Sequence, residues 1–176
     1  MDWLLLADVC RLDTAICTVS DRPTFLKVIR CVQTKLELRL SKYYYSQEIT
    51  EQCLLWLTVR QINLDKFSIS CARIPDTSLF LDTCSSLLMQ QPHLHRLQIE
   101  GVRLDPGAAV SLSFAVSNMI HLSSLELSRN QIGDVEAGAL SVAFSKLANL
   151  KLIDFKGNNI GEEGAASLGK ALSNWT

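Results

Sequence analysis

The sequence predicts an α/β solenoid, with parallel strands on a concave face, helices on a convex face, and an α-helical cap over residues 1–65 ahead of repeats over residues 66–176. Three observations predict it. The later half of the chain recurs with a period of 28 residues, counted between Leu94, Leu122 and Leu150. Within each unit, apolar residues first alternate and then fall three and four apart. The composition also shifts near residues 90–100, since all eight glycines fall at or after Gly101 and all six cysteines at or before Cys84.

Setting Leu94, Leu122 and Leu150 in register brings Leu97, Leu125 and Ile153 into one column. The next columns hold Ile99, Leu127 and Phe155, then Leu104, Ile132 and Ile160. Further along, Ala109, Ala137 and Ala165 align, as do Leu112, Leu140 and Leu168, and finally Val116, Phe144 and Leu172. Segments such as Leu125-Glu126-Leu127 and Ile153-Asp154-Phe155 carry the period of two that marks a short strand. Leu140, Ala143, Phe144 and Leu147 lie on one face of a helix. Gly133 and Gly161 suit the bend between the two, and Asp105-Pro106 or Glu162-Glu163 suits the positive end of a starting helix. A single unit cannot cover both its apolar faces. Stacked neighbours bury them in a continuous core, and because helices are wider than strands the stack curves with its sheet inside.

These columns resemble the leucine-rich repeat, L-x-x-L-x-L-x-x-N-x-L. Leu122-x-x-Leu125-x-Leu127-x-x-Asn130-x-Ile132 matches it throughout, and Leu150-x-x-Ile153-x-Phe155-x-x-Asn158-x-Ile160 matches conservatively. The unit length and Asn158-Asn159-Ile160-Gly161-Glu162-Glu163-Gly164-Ala165 are similar to the ribonuclease-inhibitor-like subclass. The resemblance implies that Asn130 and Asn158 bond backbone groups of the tight turns, whose polar atoms would otherwise be buried without partners. Val102 stands in the asparagine column of the earlier unit. One further 28-residue shift places a worn unit near residue 66, with Ile69, Cys71 and Ile74 in the strand and turn columns and Cys84 and Leu88 on the helix.

Ahead of residue 66, helical patterns are expected. Leu5, Val9, Leu12 and Ile16 share a helical stripe. Asp21 with Pro23 opens a second helix through Phe25, Ile29 and Val32, and Ile49, Cys53 and Leu57 mark a third. The Tyr43-Tyr44-Tyr45 run is expected to pack against this cap. The order of elements also resembles the helical F-box-like region that precedes such repeats in ubiquitin-ligase substrate receptors, although it lacks the Leu-Pro opening.

Several function classes are disfavoured. A net charge of -1 gives no footprint for a phosphate backbone, so no nucleic-acid partner is expected. Apolar runs such as Trp3–Ala7 fall far short of the ~20 residues that span a bilayer, and the first residues lack a secretion signal. No membrane association is expected, and the expected location is cytoplasmic. The irregularly spaced cysteines form no zinc or thioredoxin-like motif and suit small buried hydrophobes, while His93, His95 and His121 lack the cysteine or carboxylate partners of a metal set. No nucleophile elbow or phosphate loop occurs, so neither enzyme activity nor a cofactor is expected.

What remains is a non-catalytic intracellular module that binds a protein partner on its concave face. The alternatives are the substrate-recognition subunit of a ubiquitin ligase and the ligand-sensing fragment of a nucleotide-binding leucine-rich-repeat receptor. The outward positions are Arg96, Gln98 and Glu100, then Ser124, Glu126 and Ser128, then Leu152, Asp154 and Lys156. Glu126 and Asp154 are expected as like-charged neighbours ~4.8 Å apart, a mildly acidic strip for a polar or basic segment, rimmed by Arg96, Arg129 and Lys156. The strand near Lys151–Phe155 is expected to keep an open edge, suited to further repeats or to end-to-end self-association.

Overall fold

A computed structural model describes residues 12–19, 32–40, 54–55, 58–59, 63–70 and 77–173. Six strands form one sheet in the order of the chain: β1 (Leu12–Val19), β2 (Val32–Leu40), β3 (Leu64–Ser70), β4 (Arg96–Glu100), β5 (Ser124–Glu126) and β6 (Leu152–Asp154). All neighbours are parallel. Four helices follow β3 to β6 in turn: α1 (Thr77–Leu88), α2 (Pro106–Val116), α3 (Asp134–Phe144) and α4 (Glu162–Leu172). Each helix packs on the next, so strands and helices form two layers that advance together along the chain.

The register joins the columns seen in the sequence. Leu97 pairs with Leu125, and Leu125 with Ile153. Leu97, Ile99, Leu125 and Leu127 are completely buried, and they meet Ala109, Leu112, Ala115 and Val116 of α2 and Ala137, Leu140, Ala143 and Phe144 of α3 in one core. Alanine recurs on the inner faces of these helices. Its small side chain brings the helix backbone close to the sheet while leucine and phenylalanine fill the remaining space.

The starts of α2, α3 and α4 are each capped in a different way. Asp105 accepts a hydrogen bond from the Ala108 amide at 2.8 Å, with Pro106 opening α2. The Gly133 amide donates to Glu136 Oε2 at 2.9 Å at the start of α3. Gly161 has no side chain to offer α4. There, Asp134 of the preceding unit reaches across, its Oδ1 accepting from the amides of Gly161 at 2.7 Å and Gly164 at 2.9 Å.

Two expectations are corrected. The helical stripe through Leu12 and Ile16 gives way to β1, and Val32, expected in a second helix, opens β2. The reason lies in the spacing: an interval of four is also two strand periods, so Leu12 and Ile16 suit either element. The β-branched Thr14, Ile16, Thr18 and Val19, and the alternation of Leu36, Leu38 and Leu40 with charged residues, favour strands. Leu54, Leu55, Thr58 and Val59 are helical, within reach of the third expected helix. Leu5, Val9, Asp21, Pro23, Phe25, Ile29, Ile49, Cys53, Leu57 and the Tyr43-Tyr44-Tyr45 run lie outside the described residues.

The worn unit is displaced by two residues. Phe67 pairs with Leu97 and Ile69 with Ile99, so Leu64-x-x-Phe67-x-Ile69 carries the strand pattern in place of Ile69 and Cys71. Leu64, Phe67 and Ile69 are buried, as are Cys84 and Leu88 on α1. Two extra residues between β3 and β4 hide this unit from a fixed 28-residue shift.

Candidate functional site

Residues that point away from the core on β3 to β6 share one face of the sheet. Alternation along each strand puts them there, and the pairing register lines them into rows. Arg96, Ser124 and Leu152 form one row, and Gln98, Glu126 and Asp154 form the next. Ser128 and Lys156 stand just beyond their strands, beside Glu100: the Gly101 amide donates to the Ser128 carbonyl, and the Arg129 amide to the Lys156 carbonyl. The structure places the nine expected residues along one face of the sheet, but Ser124, expected to be outward and open, is buried between its neighbours there. It also adds three that the sequence reading missed, because Lys66, Ser68 and Ser70 pair with Arg96, Gln98 and Glu100. Allowing a two-residue insertion before β4 would have found them.

The platform is more internally bonded than a strip of repelling acids. Glu126 Oε1 accepts from the Ser124 hydroxyl at 3.1 Å and lies 3.9 Å from Arg96 Nε. Asp154 accepts from the Ser128 hydroxyl at 3.0 Å and from the Lys156 amide at 2.7 Å. Glu100 pairs with Arg129 Nη1 at 3.2 Å, and Ser68 donates to Gln98 Oε1 at 3.1 Å. Each carboxylate therefore has a donor of its own, and the drive to recruit an external cation is smaller than two bare charges imply. Ser124 is buried, flanked in register by Arg96 and Leu152, and serves Glu126 from beneath. Leu152 is 46% exposed and gives the platform an apolar spot at the β6 end.

Behind the strand ends, asparagines tie each turn to the unit before it. Asn130, fully buried, accepts from the Val102 amide at 2.9 Å and donates to the Ile99 carbonyl at 2.8 Å. Asn158 Oδ1 accepts from the amides of Asn130 at 2.8 Å and Ile132 at 3.1 Å, and its Nδ2 donates to the carbonyls of Leu127 and Phe155. A short amide side chain with both donor and acceptor satisfies this pattern, which a leucine cannot do. Next to it runs a column of left-handed backbone: Gly101 (φ 72), Arg129 (φ 59) and Gly157 (φ 72). Arg129 takes a conformation that favours glycine, and its stem lies across Gly157, where an added Cβ would stand 3.0 Å from Arg129 Cγ.

At the opposite ends of the strands the three histidines gather. The rings of His93 and His121 stack with centroids 5.3 Å apart, His95 lies 6.2 Å from His121, and His95 Nδ1 is 2.9 Å from Asp65 Oδ1. Among the described residues, no three histidine, cysteine or acidic side chains are placed to hold a metal ion. Cys84 is buried and forms no disulfide. No helix among the described residues is long and apolar enough to cross a membrane.

The geometry of strand, asparagine turn and helix is matched by a family model, described as leucine-rich repeat, at residues 118–141 and 146–169. These units are leucine-rich repeats. The two matched stretches start one period apart and each spans a strand, its asparagine turn and most of a helix, β5 with α3 and β6 with α4. Among solved structures, this leucine-rich-repeat chain is similar to an internalin from Listeria monocytogenes, at 18% identity and a TM-score of 0.38, over 87% of this chain and 56% of that one. The chain thus spans a little over half of that protein's solved length. No curated protein matches the chain.

Proposed function

We propose that this leucine-rich-repeat chain is a non-catalytic protein-interaction module whose strand face docks a segment of a protein partner. The observation that carries the reading is the continuity of the platform. Four parallel strands present outward side chains in register from Lys66, Ser68 and Ser70 to Leu152 and Asp154, with no helix or loop between them. Such a face offers hydroxyl, amide and charged groups at strand spacing, a pattern suited to the side chains of an extended or helical polar segment. Gln98, Glu126 and Asp154 would recognise donors at the centre, Arg96 and Lys156 acceptors at the rim, and Leu152 an apolar side chain. The ribonuclease-inhibitor-like subclass and a cytoplasmic setting belong to the same reading, and the unit length supports the subclass. The ubiquitin-ligase alternative needs a helical adaptor-binding segment, and strands β1 and β2 remove that basis over residues 12–19 and 32–40.

Site-specific photo-crosslinking in the source cell tests the reading. Crosslinkers at Gln98 and Lys156 should capture the same protein, whereas one at Phe114, exposed on the helix side, should not. Glu126→Lys together with Asp154→Lys should weaken that capture and change its dependence on salt. Equal capture from both faces, or capture from the helix side alone, overturns the assignment to the strand face.

A further inference from the structure

The helix side of the molecule carries an apolar patch that takes no part in the core or in the strand face. α2 has no charged residue, and the charged residues of α3, Asp134 and Glu136, stand in its first turn. The outward surfaces of these two helices are built from apolar and small side chains instead. Val110 is 59% exposed, Phe114 62%, Val135 67% and Val142 66%. The flanking helices differ, with Asp82 and Ser86 exposed on α1 and Glu163 and Lys170 exposed on α4. The patch is therefore confined to the two central helices and bordered by polar groups, the anatomy of a protein interface. Large and small residues also alternate across it. The 28-residue period sets Gly107 and Val135, Val110 and Gly138, and Phe114 and Val142 at corresponding heights on the adjoining helices. A Cβ added at Gly138 meets nothing within 4 Å, which leaves an open notch beside Val110.

We propose that the α2–α3 face joins two copies of this chain in a two-fold dimer. The alternation makes the face complementary to itself. A two-fold axis parallel to the helices and midway between them lays α2 of one copy on α3 of the other at the same height. Val110 then enters the notch at Gly138 of the other copy, Phe114 packs on its Val142, and Val135 lies over its Gly107. Symmetry makes each of these contacts twice. The same axis sets α1 opposite α4, so Asp82 stands one helical turn from Lys170 of the other copy and the rim agrees in charge. Association of the two faces buries about 1,000 Å², at the low end for a specific interface, so the dimer is a reversible one. The strand face lies on the other side of the sheet and stays open.

Sedimentation velocity of the purified chain over about 1–200 µM should show a monomer–dimer equilibrium. Phe114→Arg and Val142→Glu, both at exposed positions, should keep the circular dichroism of the native chain and weaken dimerisation at least about tenfold. Mixing the two variants should restore dimers with one copy of each, because opposite charges meet at one site while the native pair remains at the other. A photo-crosslinker at Phe114 of the otherwise unaltered chain should join two copies, with the new bond at or beside Val142. A chain that stays monomeric over this range overturns the proposal, as does a dimer that both variants leave unchanged. So does a bond from position 114 to position 114, which places the axis across the helices. A monomer whose crosslinker at Phe114 captures a different protein from cell extract assigns the face to another partner and likewise overturns it.

Discussion

Asn130 and Asn158 hold the turns by pairing backbone groups that would otherwise be buried without partners, and this sets what their loss costs. Asn130→Ala removes the side-chain partner of the Val102 amide and of the Ile99 carbonyl, and should lower unfolding stability by about 2–4 kcal/mol in urea titration. Ser128→Ala, which removes one part-buried hydroxyl donor to Asp154, should change it by less than about 1 kcal/mol. The left-handed column makes a second comparison. Gly157→Ala places a Cβ on a backbone with φ 72 and against the Arg129 stem, and should cost about 1–2 kcal/mol. Arg129→Gly relieves the same kind of strain and should leave stability unchanged or slightly higher, since the exposed pair with Glu100 contributes about 0–1 kcal/mol. Both asparagines were legible from the repeat consensus. The donors each carboxylate finds were not, because Ser128 meets Asp154 only when two strands lie side by side.

Helix ends in a solenoid are built partly by the neighbouring unit, and α4 depends on this most. Asp134 supplies the cap that Gly161 cannot, and Gly164 lets it approach. A Cβ at position 164 would lie 2.6 Å from Asp134 Oδ1 and 3.0 Å from both Asp134 Cα and Ile160 Cγ2. Gly164→Ala should therefore push α4 off α3 and lower stability by about 1–3 kcal/mol. Gly138 and Gly169 have open space around the same position, so alanine there should raise stability by about 0.5–1 kcal/mol through helix propensity. Thermal melts of the three variants separate close packing from propensity, because opposite signs are expected for one chemical change. The sequence alone places all three glycines on helices of the same repeat type. Only the inter-helix distance tells them apart.

Each unit in this molecule contacts chiefly its neighbours, so stability is distributed along the stack and graded toward the open end. Leu125→Ala removes a side chain enclosed on both sides and should cost about 2–5 kcal/mol, whereas Ile153→Ala, in the same column but partly open, should cost about half as much. Native-state hydrogen exchange should show protection falling from β4 through β5 to β6, whose three residues have one paired edge. Equal protection of the three strands would show that the stack unfolds as a single unit.

The sequence by itself determined the repeat, its two-layer architecture and the face to which each residue of β4 to β6 belongs. Side-chain period and column position set those features locally, in every unit alike. Three things were decided only by tertiary structure. The strands at Leu12–Val19 and Val32–Leu40 came from a four-residue spacing that serves helix and strand equally, and pairing with β3 selects the strand. The true columns of the first described repeat, Phe67 and Ile69, depend on a two-residue insertion that only inter-strand register exposes. The bonds that quiet the platform and cap α4 join residues one unit apart, and such contacts exist only after the units have stacked.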